Sequence, residues 1–446
     1  MEHQQRPNIV LLTTHDLGTH VHCYGANTVR TPRLDQLAEK GVLFNHVFSA
    51  APQCSPARAS IATGRYPHSN GVMGLSHAEF AWHLPASERH LASFLKENGY
   101  HTILFGLQHV IDRPRLLGFD QVWERHAPAA LVASEVNRWL STAAQRECPF
   151  YVEIGFDDTH RPWTTNPPDR VLGTERPRWL PEYPNRDEEI SALQGQILAV
   201  DRAVGEILDG VESAGLADNT WIIFTSDHGL AMPRAKGTLY DPGIEVPLIL
   251  RWPRGGIDGG RVIESLVSHI DLVPTILDSI NCAIPSSIQG VSFWPQLMGT
   301  GSSVRQEIFA EKTYHNTYDP IRCIRTAQYK LIMHFNTYDI VDVPTDVKDS
   351  PSYALLRRQF SASHSYCQLF DLNSDPLELK NLVGRQEYQA ILADLIHRLR
   401  SWMIQTQDPI LNGPIVSPHY KKALNILNGN IDLLLQGMCG NDAEEN

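Results

Sequence analysis

The sequence shows no recognisable leader pattern, so none is expected. Its opening residues, MEHQQRPNIVLLTTHD, place no cationic segment ahead of a long apolar stretch, and the apolar run Ile9–Leu12 is far shorter than a signal or a membrane span requires. A cytoplasmic protein without membrane contact is therefore expected. Cationic surplus is missing too: 38 Lys and Arg face 50 Asp and Glu, a formal net charge of −12 with His neutral. That removes the basic footprint of a nucleic-acid binder, so no nucleic-acid partner is expected. Paired cysteines are absent. The seven (Cys23, Cys54, Cys148, Cys282, Cys323, Cys367 and Cys439) are odd in number and show no CxxC or CxxH spacing, which argues against a disulfide framework and a structural zinc site. Six of them read as inert thiols. Repeats and low-complexity tracts are also lacking, and 42% hydrophobic with 20% charged residues excludes disordered, collagen-like and coiled-coil classes.

What is present is an alternation of buried strands and amphipathic helices. Strands are expected at Asn8–Thr14, Val42–Phe48, His101–Gly106, Phe150–Phe156, Thr220–Ser226 and Val246–Arg251. Helices are expected at Thr31–Lys40, Ser87–Asn98, Ala129–Gln145, Asp187–Ala214 and His269–Ile280. In the longest, Ile190, Leu193, Ile197, Val200, Val204, Ile207 and Val211 recur three and four apart, acidic residues open it and Gly215 closes it. Such alternation implies an α/β fold, a mainly parallel sheet sandwiched by helices, with ligands at the C-terminal strand edges. Residues 1–300 should form the catalytic domain. The linker GTGSS (299–303) leads into a small C-terminal α+β domain, 301–446, with short strands at Ile308–Ala310, Tyr329–His334 and Gln368–Leu372, a helix over Glu387–Gln405, and a frayed acidic tail.

The most informative stretch is Cys54-Ser55-Pro56-Ala57-Arg58, continuing to Thr63-Gly64-Arg65. Pro56 suits a first helical turn and Gly64 a stop, so Cys54 should open a helix whose N–H groups favour an anion, with Arg58 returning one turn later on the same face. CxPxR followed by a helix and TGR resembles the sulfatase signature of the alkaline-phosphatase-like superfamily. The resemblance runs over nearly the whole chain. With FDDTHRPW (156–163), IFTSDHG (223–229), KGTLYDPG (236–243) and FDLNSDPLELKNL (370–382), its spacing looks most like the heparan N-sulfatase (sulfamidase) branch.

The resemblance implies that Cys54 is oxidised to formylglycine by a formylglycine-generating maturase and that its hydrate is the nucleophile: one hydrate oxygen attacks sulfur, the other expels sulfate. It implies one divalent metal ion held by His15, Asp16, the residue at Cys54, Asp227 and His228, at the ends of two neighbouring strands. Family members carry two aspartates in the first pair, so Ca²⁺ is the ion implied. His15 departs from that pattern, and two imidazoles favour Mn²⁺ or Zn²⁺. Arg58 would activate and hold the hydrate, Lys236 contact sulfate, His160 serve the leaving group and His109 act as base in turnover. Leu107 stands where the family has a lysine, so one cation is lost from the anion clamp. Arg161, Arg234 and Tyr314-His315-Asn316 are candidates for sugar contact, with Arg161 and His315 foremost.

The implied activity is hydrolysis of a sulfate ester or sulfamate, on an amino sugar or glycosaminoglycan fragment. A phosphodiesterase or phosphonate monoester hydrolase on the same scaffold, and a non-catalytic sulfated-glycan-binding protein, are the alternatives. A homodimer is left open.

Overall fold

The computed structural model describes residues 6–77, 80–143, 148–303, 305–336, 342–360 and 365–429. Its centre is an eight-stranded sheet formed by β1 (Asn8–Thr14), β2 (Val42–Phe48), β3 (His101–Gly106), β4 (Gln121–Trp123), β5 (Phe150–Phe156), β6 (Thr220–Ser226), β7 (Glu245–Arg251) and β8 (Arg261–Ser268), in the order β4-β3-β5-β1-β6-β7-β2-β8. All pairings are parallel except those of β7, which runs against β6 and β2. The central strands are apolar throughout because both faces are covered; every residue of β6 is buried.

One face carries the helices Pro32–Lys40, Ala129–Ala143 and Arg186–Ser213, and the other carries Leu91–Glu97 and Leu272–Ser279, each closing an apolar layer. Register runs level across the middle: Thr14 pairs with Ser226 on one side and Phe156 on the other. The residues that follow these three strands therefore emerge side by side at one edge.

A second, antiparallel sheet, β12-β11-β10-β9, comprises β9 (Glu307–Tyr314), β10 (Tyr318–Thr326), β11 (Tyr329–His334) and β12 (Cys367–Asp371), covered by the helix Gln389–Gln405. Between β11 and β12, the turn Thr345–Lys348 and the helix Pro351–Phe360 reach back to the first sheet's helical layer, where Ser352 donates to Glu189 from both its N–H and its hydroxyl. Among the described residues, no helix is long and apolar enough to cross a membrane.

Three strands were not anticipated: β4, β8 and β10. β10 hides its character because Pro320 breaks its register and because Arg322 and Arg325, normally surface residues, are buried in it. The helix expected from Ser87 begins at Leu91, where the His90 side chain accepts from Ala92 N–H at 3.0 Å. The expected helix end at Gln145 and the acidic tail lie outside the described residues.

Candidate active site

Cys54 is the first residue of the helix Cys54–Thr63, entered from an extended Gln53 and closed by left-handed Gly64 (φ 67°), whose N–H bonds to the Ser60 carbonyl. All ten helix residues are buried. Burial alone would push the Cys54 thiol up, yet Lys236, His15 and His228 outweigh it and hold it well below its ordinary value. The helix start is a place built for negative charge.

β1 and β6 deliver the partners. His15 and Asp16 follow β1, Asp227 and His228 follow β6, and one ligand atom from each lies within 4.8 Å of the others and of Cys54 Sγ. His228 Nε2 is 3.1 Å from Asp16 Oδ1 and 3.4 Å from Cys54 Sγ. Asp16 takes left-handed backbone geometry (φ 51°), and its N–H donates to Asp227 Oδ1 at 3.0 Å. Arg58, one turn along the helix, donates from Nε to Asp227 Oδ2 at 3.0 Å and from Nη1 to the Leu107 carbonyl at 3.3 Å.

Burial disfavours charge on Asp227, but His228, His15 and Arg58 keep it far below the carboxylate range. Burial likewise opposes protonation of His15, yet Cys54, Asp16 and Asp227 raise it well above the usual imidazole value. His228 is raised by Asp227 and Asp16 against the same opposition. Anionic groups thus converge where positive charge is demanded. Among the described residues, His15 Nε2 is buried without a hydrogen-bond partner. Two carboxylates, two imidazoles and a sulfur, with the His15 Nε2 orphaned and facing inward, fit a divalent cation.

Around this cluster stand the remaining expected groups. Lys236 Nζ is 2.7 Å from both Asp16 Oδ2 and Asp346 Oδ2; burial opposes its charge, but Asp16, Cys54 and Asp346 raise its pKa well above the ordinary value. His160 donates from Nδ1 to the Arg161 carbonyl at 2.5 Å, which turns Nε2 toward Asp16 (3.9 Å) and Asp346 (3.8 Å). Burial, then Lys236, push its pKa down to about 4. His109 is also pushed down to about 4, chiefly by burial, with Cys54 pulling the other way; its Nε2 is 2.8 Å from His77 Nδ1. His315 is buried beside this group, lowered to about 3 by burial and then by Lys236 and Lys312.

Arg161 is not brought to the cluster. Its guanidinium bonds to Glu189 and to the Ala231 carbonyl (2.7 Å) and lies over the Trp163 ring at 3.7 Å. Arg234 stacks on Tyr240 at 4.0 Å and donates to the Glu378 carbonyl.

Sequence reasoning missed Asp346, which arrives from the far side of β11 and has no local motif. It also missed Asp157, which sits level with His15 and bonds to it (Nδ1–Oδ1, 3.0 Å). Extending the β1–β5 pairing by one residue would have found it.

An α/β sheet with a cation-demanding cluster at its C-terminal edge, a buried cysteine at a helix start and a flanking lysine fits a hydrolase of anionic esters. Comparison with known proteins makes this specific. The sulfatase family model matches residues 7–281, and the model described as N-sulphoglucosamine sulphohydrolase, C-terminal, matches residues 228–354. The chain belongs to the sulfatase family and is a sulfuric ester hydrolase. An ulvan-active sulfatase of Formosa agariphila is 28% identical, over 93% of this chain and 84% of its own length. Human N-sulphoglucosamine sulphohydrolase is 27% identical, over 91% of this chain and 92% of its own. A protein solved in complex with its substrate D-glucosamine-2-N,6-O-disulfate shares the fold, with a TM-score of 0.72 at 21% identity, covering 92% of this chain and 99% of that one.

Proposed function

We propose that this chain is a formylglycine-dependent sulfatase acting on a sulfate ester or sulfamate of an amino sugar or glycosaminoglycan fragment. The carrying observation is the placement of Cys54 at a helix start within one cluster with His15, Asp16, Asp227 and His228. The substrate class is supported by the match of residues 228–354 to the sulphoglucosamine sulphohydrolase C-terminal model and by the glucosamine disulfate bound in a structural relative.

His15, Asp16, Asp227, His228 and the residue at position 54 would hold the divalent ion, which when bound supplies charge neutralisation for an anionic substrate. Two imidazoles in the donor set favour Mn²⁺ or Zn²⁺ over Ca²⁺. An aldehyde made from Cys54 by a formylglycine-generating maturase would supply, as its hydrate, the attacking oxygen. The chain's own groups do the rest. Arg58, fixed by Asp227 and the Leu107 carbonyl, stands one helical turn beyond position 54 and would help hold the hydrate there. Lys236 offers its ammonium to sulfate from between two carboxylates. His160 Nε2 stands on the same side, and because Nδ1 donates to the Arg161 carbonyl it would pass a proton to the departing oxygen or nitrogen from the doubly protonated ring. His109 is held neutral beside Cys54 and is placed to take one.

A side-by-side assay with an aryl sulfate, glucosamine N-sulfate and an aryl phosphonate monoester tests the reading, using the maturase-treated chain and Cys54→Ala. Turnover of a sulfated substrate that disappears in the variant is expected. A fully active Cys54→Ala, or turnover of the phosphonate alone, would overturn it.

A further inference from the structure

His15 stands where the sulfatase resemblance implies an aspartate, and an imidazole offers two nitrogens of which only one can face the cluster. What lies behind the ring decides which. His15 Nδ1 is 3.0 Å from Asp157 Oδ1, and the other oxygen of that carboxylate, Oδ2, is 2.8 Å from His126 Nδ1. An ionised carboxylate can only accept, so Nδ1 of His15 carries hydrogen. The opposite nitrogen, Nε2, then faces inward, 3.5 Å from Asp227 Oδ2 and 3.7 Å from Asp16 Oδ1, buried and without a hydrogen-bond partner among the described residues. The ring leans on His160 with centroids 4.6 Å apart, and the backbone carbonyl of His15 accepts from the Thr159 hydroxyl, so both ring and backbone are held.

The second imidazole differs in how it is anchored. His228 Nδ1 donates to the Gly229 carbonyl at 3.0 Å, a backbone group no substitution removes. The orientation of His15 depends instead on a side chain that is clamped from the solvent side by the largely exposed His126.

We propose that Asp157, clamped by His126, is a positioning residue that fixes His15 as a nitrogen donor to the divalent cation and so gives the centre its mixed nitrogen–oxygen character. This rests on the metal centre proposed above. Rotating the ring would put a C–H against Asp157 and lose a charge-assisted hydrogen bond. A carboxylate behind a ligating imidazole both orients the ring and strengthens its basicity, and its loss typically costs about 10–100-fold in metal affinity.

The test uses the full chain stripped of metal by chelation and titrated calorimetrically with Mn²⁺ and, separately, Ca²⁺. Wild type, Asp157→Ala, Asp157→Asn and His126→Ala are compared, with the melting temperature in chelator checking the fold. Asp157→Ala should weaken Mn²⁺ binding by about 10–100-fold and Ca²⁺ binding by less, since the oxygen donors remain. Asp157→Asn, which keeps an acceptor oxygen, should fall between, and His126→Ala should show a smaller loss in the same direction. Pulsed electron paramagnetic resonance of bound Mn²⁺ should report coupling to two imidazole nitrogens in wild type and one in Asp157→Ala.

Should Asp157→Ala not fold, the other two variants decide. Wild type that binds Mn²⁺ with two nitrogens, together with variants that bind it equally tightly and keep both couplings, overturns the positioning role and leaves the centre standing. Wild type that binds neither ion overturns the centre itself.

Discussion

Arg58 Nε meets Asp227 Oδ2 at 3.0 Å, with the Asp227 side chain fully closed from solvent and that of Arg58 nearly so. A helix turn is thereby bolted to a strand end, and the pair lies at the rim of the cluster that holds Cys54. Removing one member of a buried ion pair strands the other, at a cost of about 3–5 kcal/mol. Arg58→Ala should therefore lower the unfolding free energy of the metal-free chain by about that amount, measured by urea denaturation, with divalent metal restoring part of the loss. A metal-free variant as stable as wild type would show that the pair does no such work.

Asp346 shares the Lys236 ammonium with Asp16, each at 2.7 Å. A hydrogen bond to a charged group contributes about 1.5–3 kcal/mol, so Asp346→Asn should reduce kcat/KM on a sulfated substrate by roughly tenfold to a hundredfold, 1.4 kcal/mol being tenfold. Steady-state kinetics beside an unchanged melting temperature would separate this from misfolding. An unaltered kcat/KM would remove Asp346 from the site.

Asp201, buried in the helix Arg186–Ser213, accepts from the N–H groups of Arg33 (3.0 Å) and Leu34 (2.9 Å) at the start of the helix Pro32–Lys40. Burial lifts its carboxyl from 3.8 to about 6, against the pull of those two N–H groups. Between these values the folded chain keeps a proton that the unfolded chain has released, so this group's contribution favours folding at lower pH and is lost as pH rises through about 6. Asp201→Asn, uncharged throughout, should gain on wild type across that window by at most about 3 kcal/mol, at about 1.4 kcal/mol per pKa unit. Denaturation curves at pH 4 and pH 7 that keep a constant difference would contradict this.

Much of the site was legible because its signals are local. His15 and Asp16 end one apolar run, Asp227 and His228 end another, and parallel register places such ends together. Cys54 and Arg58 announce a helix start through Pro56 and Gly64. What escaped depends on distant chain. Asp346 reaches Lys236 across 110 positions, from a turn with no periodicity of its own. β10 escaped because its buried charges are paired only in three dimensions: Arg322 with Asp408, Arg325 with Asp241. The pairing of Arg161 escaped for the same reason, since its partner Glu189 lies on a helix whose packing no motif encodes.

One cation position underlies the proposed activity. Crystals of the full chain grown with Mn²⁺ and measured at the manganese edge should show a single strong anomalous peak bounded by His15, Asp16, Asp227, His228 and the residue at position 54. A metal-replete crystal with no peak there, or with position 54 turned away from those four side chains, would contradict it.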